Sequence, residues 1–185
     1  MAATPSTMLN IGTEAPNFEL LDPITGATVS LSQIKGEAGM LVMFICNHCP
    51  YVKHLANELA RLGEDYIPRG IGFAAINSND VETYPEDSPE KMVEESQRRG
   101  YPFPYLFDQT QEVAHLYQAA CTPDFFLFDA DLTLVYRGQF DDSRPGNNLP
   151  VTGKDLRMAM ENLISGEPIS QDQKPSIGCN IKWKK

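Results

Sequence analysis

Residues 40–45 read Met-Leu-Val-Met-Phe-Ile, six apolar side chains in succession with no polar alternation. A strand with one face in water alternates, so this run has to be a strand buried on both faces. Such a strand needs a layer above and a layer below. Gly70–Ile76 is a second run of the same kind, and between the two Pro50–Tyr66 reads as a helix with Leu55, Leu59 and Leu62 on one side. Strand, helix and strand in this order call for an α/β architecture.

The remaining elements fit that frame. Residues 1–12 read as a loose arm. Asn17–Leu21, the turn signals Asp22-Pro23 and Thr25-Gly26, and Ala27–Leu31 form an N-terminal β-hairpin, followed by one helical turn over Ser32–Lys35. Ser88 and Pro89 are an N-cap and a first helical residue, and Gly100 ends that helix after Arg99. Tyr105–Phe107 is a short strand and Thr110–Ala119 a helix. Phe125–Phe128 and Leu134–Arg137 are strands joined too closely for a crossover, so they pair antiparallel. Gly153–Ile164 is the last helix, stopped by Gly166 and Pro168, and residues 167–185 form a C-terminal tail without periodicity. The 185 residues therefore read as one domain, a mixed central sheet flanked by helices.

The formal net charge of −10 argues against a nucleic acid or an anionic membrane as partner, because phosphate binding draws on Lys and Arg. Lys182, Lys184 and Lys185 read as a solvated tail. The apolar run at 40–45 falls far short of the roughly 18 residues a membrane span needs. The first ten residues lack the basic region and apolar core of a signal peptide, so a cytoplasmic location is expected.

The chemistry is concentrated in Cys46-Asn47-His48-Cys49-Pro50, where the apolar strand meets the helix. Two cysteines three apart share one helix face, so their sulfurs can meet. Cys46 is expected at the N-cap, where free N–H groups and the helix dipole lower a thiol pKa and make it the attacking thiolate. Cys49, one turn in, is expected to be the resolving thiol. His48 between them would stabilise the Cys46 thiolate. Zinc sites normally carry a second C-x-x-C or a His pair. His48, His54 and His115 have no such spacing, so neither metal nor cofactor is expected, and His54 and His115 read as ordinary surface or satisfied histidines. Copper(I) or zinc on Cys46, Cys49 and Cys121 is the rival use of these thiolates.

Ala15-Pro16-Asn17-Phe18-Glu19-Leu20, the strand running into Cys46–Cys49, and Cys121-Thr122-Pro123-Asp124 ahead of the apolar Phe125–Phe128 occur here in one order. In this combination, over roughly residues 11–164, the chain resembles the thioredoxin superfamily, specifically its redoxin or peroxiredoxin-like branch with a C-x-x-C motif. The resemblance implies a thioredoxin-like fold and a thiol–disulfide oxidoreductase with antioxidant activity. Its implied partners are a disulfide-containing protein or small thiol substrate and a thiol electron donor. It also implies that Thr122-Pro123 is a cis bond facing the redox pair, leaving a backbone edge beside the reactive sulfur for an incoming peptide.

Two features depart from the family. Peroxiredoxins carry Pro-x-x-x-Thr/Ser-x-x-Cys. Aligned on Cys49 those positions hold Val42 and Cys46, and aligned on Cys46 they hold Gly39 and Met43, so a thiol peroxidase of unusual motif is the alternative activity. Ile45 stands where thioredoxins commonly have Trp. For the buried proton-accepting acid of thioredoxins, Glu19 and Asp108 are the candidates. The loop Gln139–Asn148 is expected to wall the active-site mouth, with Asp141, Asp142 and Arg144 as substrate contacts. The tail, at roughly 3.3 Å per residue, can reach back about 40 Å. A buried Trp183 and a second thiol pair between Cys121 and Cys179 are expected from its return.

Overall fold

The structure is a computed structural model and describes residues 3–185. In chain order the elements are β1 (Ala3–Pro5), β2 (Glu19–Leu21), β3 (Thr28–Ser30), α1 (Leu31–Ile34), β4 (Gly39–Phe44), α2 (Pro50–Tyr66) and β5 (Ile71–Asn77). Then follow α3 (Pro89–Arg99), β6 (Tyr105–Phe107), α4 (Glu112–Leu116), β7 (Cys121–Thr122), β8 (Asp124–Asp129), β9 (Leu134–Tyr136), α5 (Lys154–Ser165) and β10 (Ile177–Asn180).

Seven strands form the main sheet in the order β3-β2-β6-β5-β4-β8-β9. β4 pairs parallel with β5 and antiparallel with β8, so the sheet is mixed, as expected for this α/β chain. All six residues of β4 are buried. Leu41 and Met43 point into a layer with Val52, Leu55, Leu59 and Leu62 of α2, Met92 of α3 and Leu156 of α5. Met40, Val42 and Phe44 point the other way, onto Leu31 of α1, Val113 of α4 and Phe126 and Phe128 of β8. The unbroken apolar run is thus divided residue by residue between two cores. Each such side chain contributes about 1.5–3 kcal/mol on leaving water.

Local signals place the helix ends. Pro50 opens α2, Ser88 caps α3 by accepting from the Lys91 amide, and Gly100 closes α3 at φ 67°. The N-terminal hairpin forms between β2 and β3.

The two chain ends differ from expectation. The arm and the tail pair with each other, β1 with β10, and β10 pairs on its other side with β7, making a separate three-stranded ribbon. Lys182 is buried rather than solvated, and Trp183 is 38% exposed rather than buried, its ring stacked on His115 at 4.2 Å.

Candidate active site

β4 brings Ile45 and Cys46 to one end of the sheet, and the Ile45 amide continues the ladder by donating to Ile76 O at 3.0 Å. The helix does not begin at Cys46. The N-cap of α2 is Cys49, in extended conformation, with Pro50 at the first helical position. The reason lies in a residue the sequence reading did not single out. The amides of Asn47 and His48 donate to Oδ1 of Asp87, at 2.8 and 3.2 Å, instead of entering the helix. Asp87 is buried, in the short turn Pro85–Asp87 that precedes α3. Proline lacks the N–H that a helix start leaves unpaired, so Pro50 begins α2 without penalty.

The two sulfurs meet on one residue. Cys46 Sγ lies 3.4 Å from the Thr122 hydroxyl, and Cys49 Sγ donates to the Thr122 carbonyl at 3.2 Å. The Thr122-Pro123 bond is cis. Both thiols are free and buried.

Their thiols shift unequally. The Cys49 thiol is brought down to about 4, chiefly by the Cys46 thiol turned toward it, against the opposing effect of burial. The Cys179 thiol and the amides of Val52 and Cys179 also turn toward Cys49 and lower it. Cys46 is raised, by its hydrogen bond to Cys49, by burial and by the Asp87 carboxylate. The surroundings thus favour ionisation of Cys49 over Cys46, whereas the lowered thiol is expected from the sequence at Cys46; in the structure the Cys49 S–H is engaged by the Thr122 carbonyl. The free N–H groups of the helix start favour a charge at Cys49, and they belong to that residue.

His48 is fixed from both sides. Its Nδ1 lies 2.6 Å from Asp87 Oδ2, and its ring stacks on Tyr84 at 5.6 Å and 4°. The hydrogen bond to Asp87 raises its pKa, so the imidazolium is favoured. For Asp87 itself burial pushes the carboxyl up, but His48, Asn79 and the Asn47 amide outweigh it and the net shift is downward. Lys182 Nζ lies 5.6 Å from the centre of the Tyr84 ring, on the tail's side of the site. One donor atom each from Cys46, His48 and Asp87 falls within 4.8 Å of the others. This differs from the Cys46, Cys49 and Cys121 set named for a metal, and Asp87 already accepts from His48, Asn79 and two amides.

The other expected site residues are dispersed. Cys121 and Cys179 do not face each other. Cys121 is opposite Asn180 and Cys179 opposite Thr122, and successive side chains leave a strand on opposite faces. Cys179 thus joins Cys46 and Cys49, while the Cys121 sulfur points to the Pro123 carbonyl at 3.5 Å.

Asp141 is a buried brace, accepting from the amides of Ser143, Thr152 and Gly153 at the start of α5. Asp142 pairs with Lys154 and Lys174. Asp141 is held by backbone amides from its own loop and from the start of α5, and Asp142 is held at the surface by Lys154 of α5 and Lys174 of the tail. Arg144 alone of the three lines a groove with Tyr51, His54 and Pro123.

Of the two acids considered for proton transfer, Glu19 is exposed on an edge hairpin. Asp108 is engaged by Ser78 and by the Val113 and Ala114 amides of α4. The carboxylate at the thiols is Asp87. Its only signal in the sequence was a position just ahead of the Ser88 cap. His54 is not satisfied as expected, since its Nε2 is buried without a partner among the described residues.

Known proteins share the fold that carries this site. The chain is 58% identical to an uncharacterized conserved protein from Geobacillus kaustophilus whose crystal structure superposes with a TM-score of 0.98, covering 100% of this chain and 97% of that one. A thiol-disulfide oxidoreductase ResA from Geobacillus kaustophilus (strain HTA426) is 30% identical over 129 residues, 68% of this chain and 67% of the relative. A putative thiol:disulfide interchange protein DsbE from Chlorobium tepidum, 20% identical, superposes with a TM-score of 0.66 over 84% of this chain and 99% of that one. That last likeness establishes the thioredoxin-like fold. Residues 11–137, from the N-terminal hairpin through both cysteines and Pro123 to β9, match the AhpC/TSA family model, and the chain belongs to that family.

Proposed function

We propose that this chain is a thiol–disulfide oxidoreductase that exchanges disulfides with proteins or small thiols through Cys46 and Cys49. The observation that carries the reading is the meeting of both sulfurs on Thr122, one at its hydroxyl and one at its carbonyl.

Thr122 serves two proton arrangements. In one the proton is on Cys46 and the charge on Cys49. When the proton passes to Cys49, the Thr122 carbonyl accepts the new S–H, and the Thr122 hydroxyl turns its proton to the Cys46 thiolate. Cys46 then attacks a substrate disulfide, forming a mixed disulfide and expelling one substrate thiolate. Cys49 attacks Cys46 Sγ, closing the Cys46–Cys49 bond and expelling the second. Two electrons leave the chain for the substrate, and a thiol donor restores them. The imidazolium of His48, anchored on Asp87, favours the charged sulfur.

Reduction of insulin disulfides tests the reading. Cys46→Ser should abolish turnover, and Cys49→Ser should accumulate a mixed disulfide on Cys46. Full turnover by Cys46→Ser would sink it. Family membership favours a second reading, consumption of peroxide, which a peroxide assay on the reduced chain separates from the first.

A further inference from the structure

We propose that Cys179 is a third redox thiol, held by β10 as an internal substrate cysteine against Cys49. The proposal rests on the reading of Cys46 and Cys49 as the redox pair. β10 lies antiparallel along β7, on the backbone edge next to Pro123, and the register puts Cys179 opposite Thr122, the residue on which both other sulfurs converge. Cys46, Cys49 and Cys179 share one buried cluster. The register excludes Cys121 from the same role, because its side chain leaves the opposite face.

The strand is fastened along its length. Ser176 Oγ donates to Pro123 O at 2.7 Å, the Ile181 amide to Ala120 O at 3.1 Å and the Lys182 amide to Asn79 Oδ1 at 2.8 Å. Gly178 makes the close approach possible. A Cβ there would lie 1.9 Å from the Thr122 carbonyl oxygen and 3.0 Å from Pro123 N, so no other residue lets β10 lie this flat on the turn.

The chemistry is an isomerisation. In the oxidised chain the Cys179 thiolate attacks Cys49 Sγ, the Cys49–Cys179 bond forms, the Cys46–Cys49 bond breaks, and Cys46 leaves with the electron pair and takes up the proton that Cys179 lost. One disulfide is exchanged for another and no oxidant is consumed. In the reduced chain the Cys179 thiol is raised to about 12, by burial and by the neighbouring Cys49 sulfur. Once Cys49 is bound in a disulfide its negative charge is gone, and Cys179 ionises more easily in the state that needs it as a nucleophile.

The test is peptide mapping. The Cys46→Ser chain is treated with diamide, which takes up the two electrons and two protons of disulfide formation, then alkylated and digested. A Cys49–Cys179 linked peptide, with Cys121 alkylated, is the expected result. Adding Gly178→Val should lower its yield at least tenfold. Separately, oxidised wild-type chain held at neutral pH and quenched in acid should contain a minor Cys49–Cys179 isomer with Cys46 free. Alkylated Cys179 in both chains, with no such peptide, would overturn the proposal even where wild type forms the Cys46–Cys49 bond. Failure of wild type to form that bond would instead overturn the reading beneath it.

Discussion

The two sides of the Thr122-Pro123 turn each hold a buried aspartate beside thiols, three on the redox side and one on the other. Cys49 with Asp87 shifts down where Cys121 with Asp124 shifts up, while Cys46 and Cys179 are raised. On the redox side Cys49 is lowered to about 4 and Asp87 is lowered as well. On the other side burial, reinforced by Asp124, drives the Cys121 thiol up. Burial likewise raises the Asp124 carboxyl to about 7, against the hydrogen bonds of Ser6 and of the Ala120, Phe125 and Cys121 backbone. Asp124 has several neutral donors and still favours its proton. Asp87 has neutral donors and, in addition, the His48 imidazolium. At these two carboxyls the difference is the cation: neutral donors leave Asp124 favouring its proton, and the His48 imidazolium helps carry Asp87 the other way. On the redox side Asp87 has the His48 imidazolium, and Cys49 has first of all the Cys46 thiol turned toward it.

The largest effect expected from this contrast is in the thiols. Thiolate absorbance at 240 nm in the reduced chain should titrate near pH 4, about five units below an ordinary cysteine. It should be unchanged by Cys121→Ser and lost from the acid range in Cys49→Ser. A single transition near pH 9 in wild type would erase the distinction between the two sides.

Asp124→Asn comes next. A carboxyl whose folded pKa is raised from about 4 to about 7 contributes stability below pH 4 and loses it as the pH climbs through 7. Wild type should lose up to about 4 kcal/mol relative to the variant between pH 4 and pH 8. Denaturant melts at the two pH values measure this, and parallel pH profiles would refute it.

Asp87→Asn should cost about 1–3 kcal/mol near pH 6, where the imidazolium is left without its carboxylate. His48 has a raised folded pKa, so its contribution is complete below about 6.5 and disappears as the pH rises through the folded value. The penalty should therefore shrink toward pH 9. A penalty that grows with pH would show that the anchor is not ionic. The smallest effect is expected from Asp142→Ala. Its lysine pairs are solvent-exposed, and insulin reduction should stay within about twofold of wild type.

What could be read from the sequence followed from how local each signal is. The β4 run, Pro50, the Ser88-Pro89 pair and Gly100 act within a few residues, and the core strands and the two long helices fall within one residue of where they were expected. The order of Cys46, Cys49, Thr122 and Pro123 carried the fold family. Asp87 could not be read, because its role depends on a turn 40 residues downstream reaching back to the amide of Asn47. That reach also moved the helix start from Cys46 to Cys49. β10 escaped because Ile-Gly-Cys-Asn has no strand pattern of its own, and its partners are the first strand of the chain and a two-residue strand at the turn.

Cys49 is at once a reacting residue and the N-cap residue of a 17-residue helix, its lowered thiol at the positive end of the helix dipole without a side-chain capping hydrogen bond. A disulfide sulfur carries no charge, so oxidation removes what the helix dipole gains from a thiolate and reduction restores it. A negative charge at a helix start is typically worth about 0.3–1 kcal/mol. The first turn of α2 therefore frays in the oxidised form and tightens in the reduced one, and deuterium uptake at Val52 becomes a gauge of the electrons the chain holds. Anything resting on that turn feels the redox state as a change in stiffness, with no strand having to move.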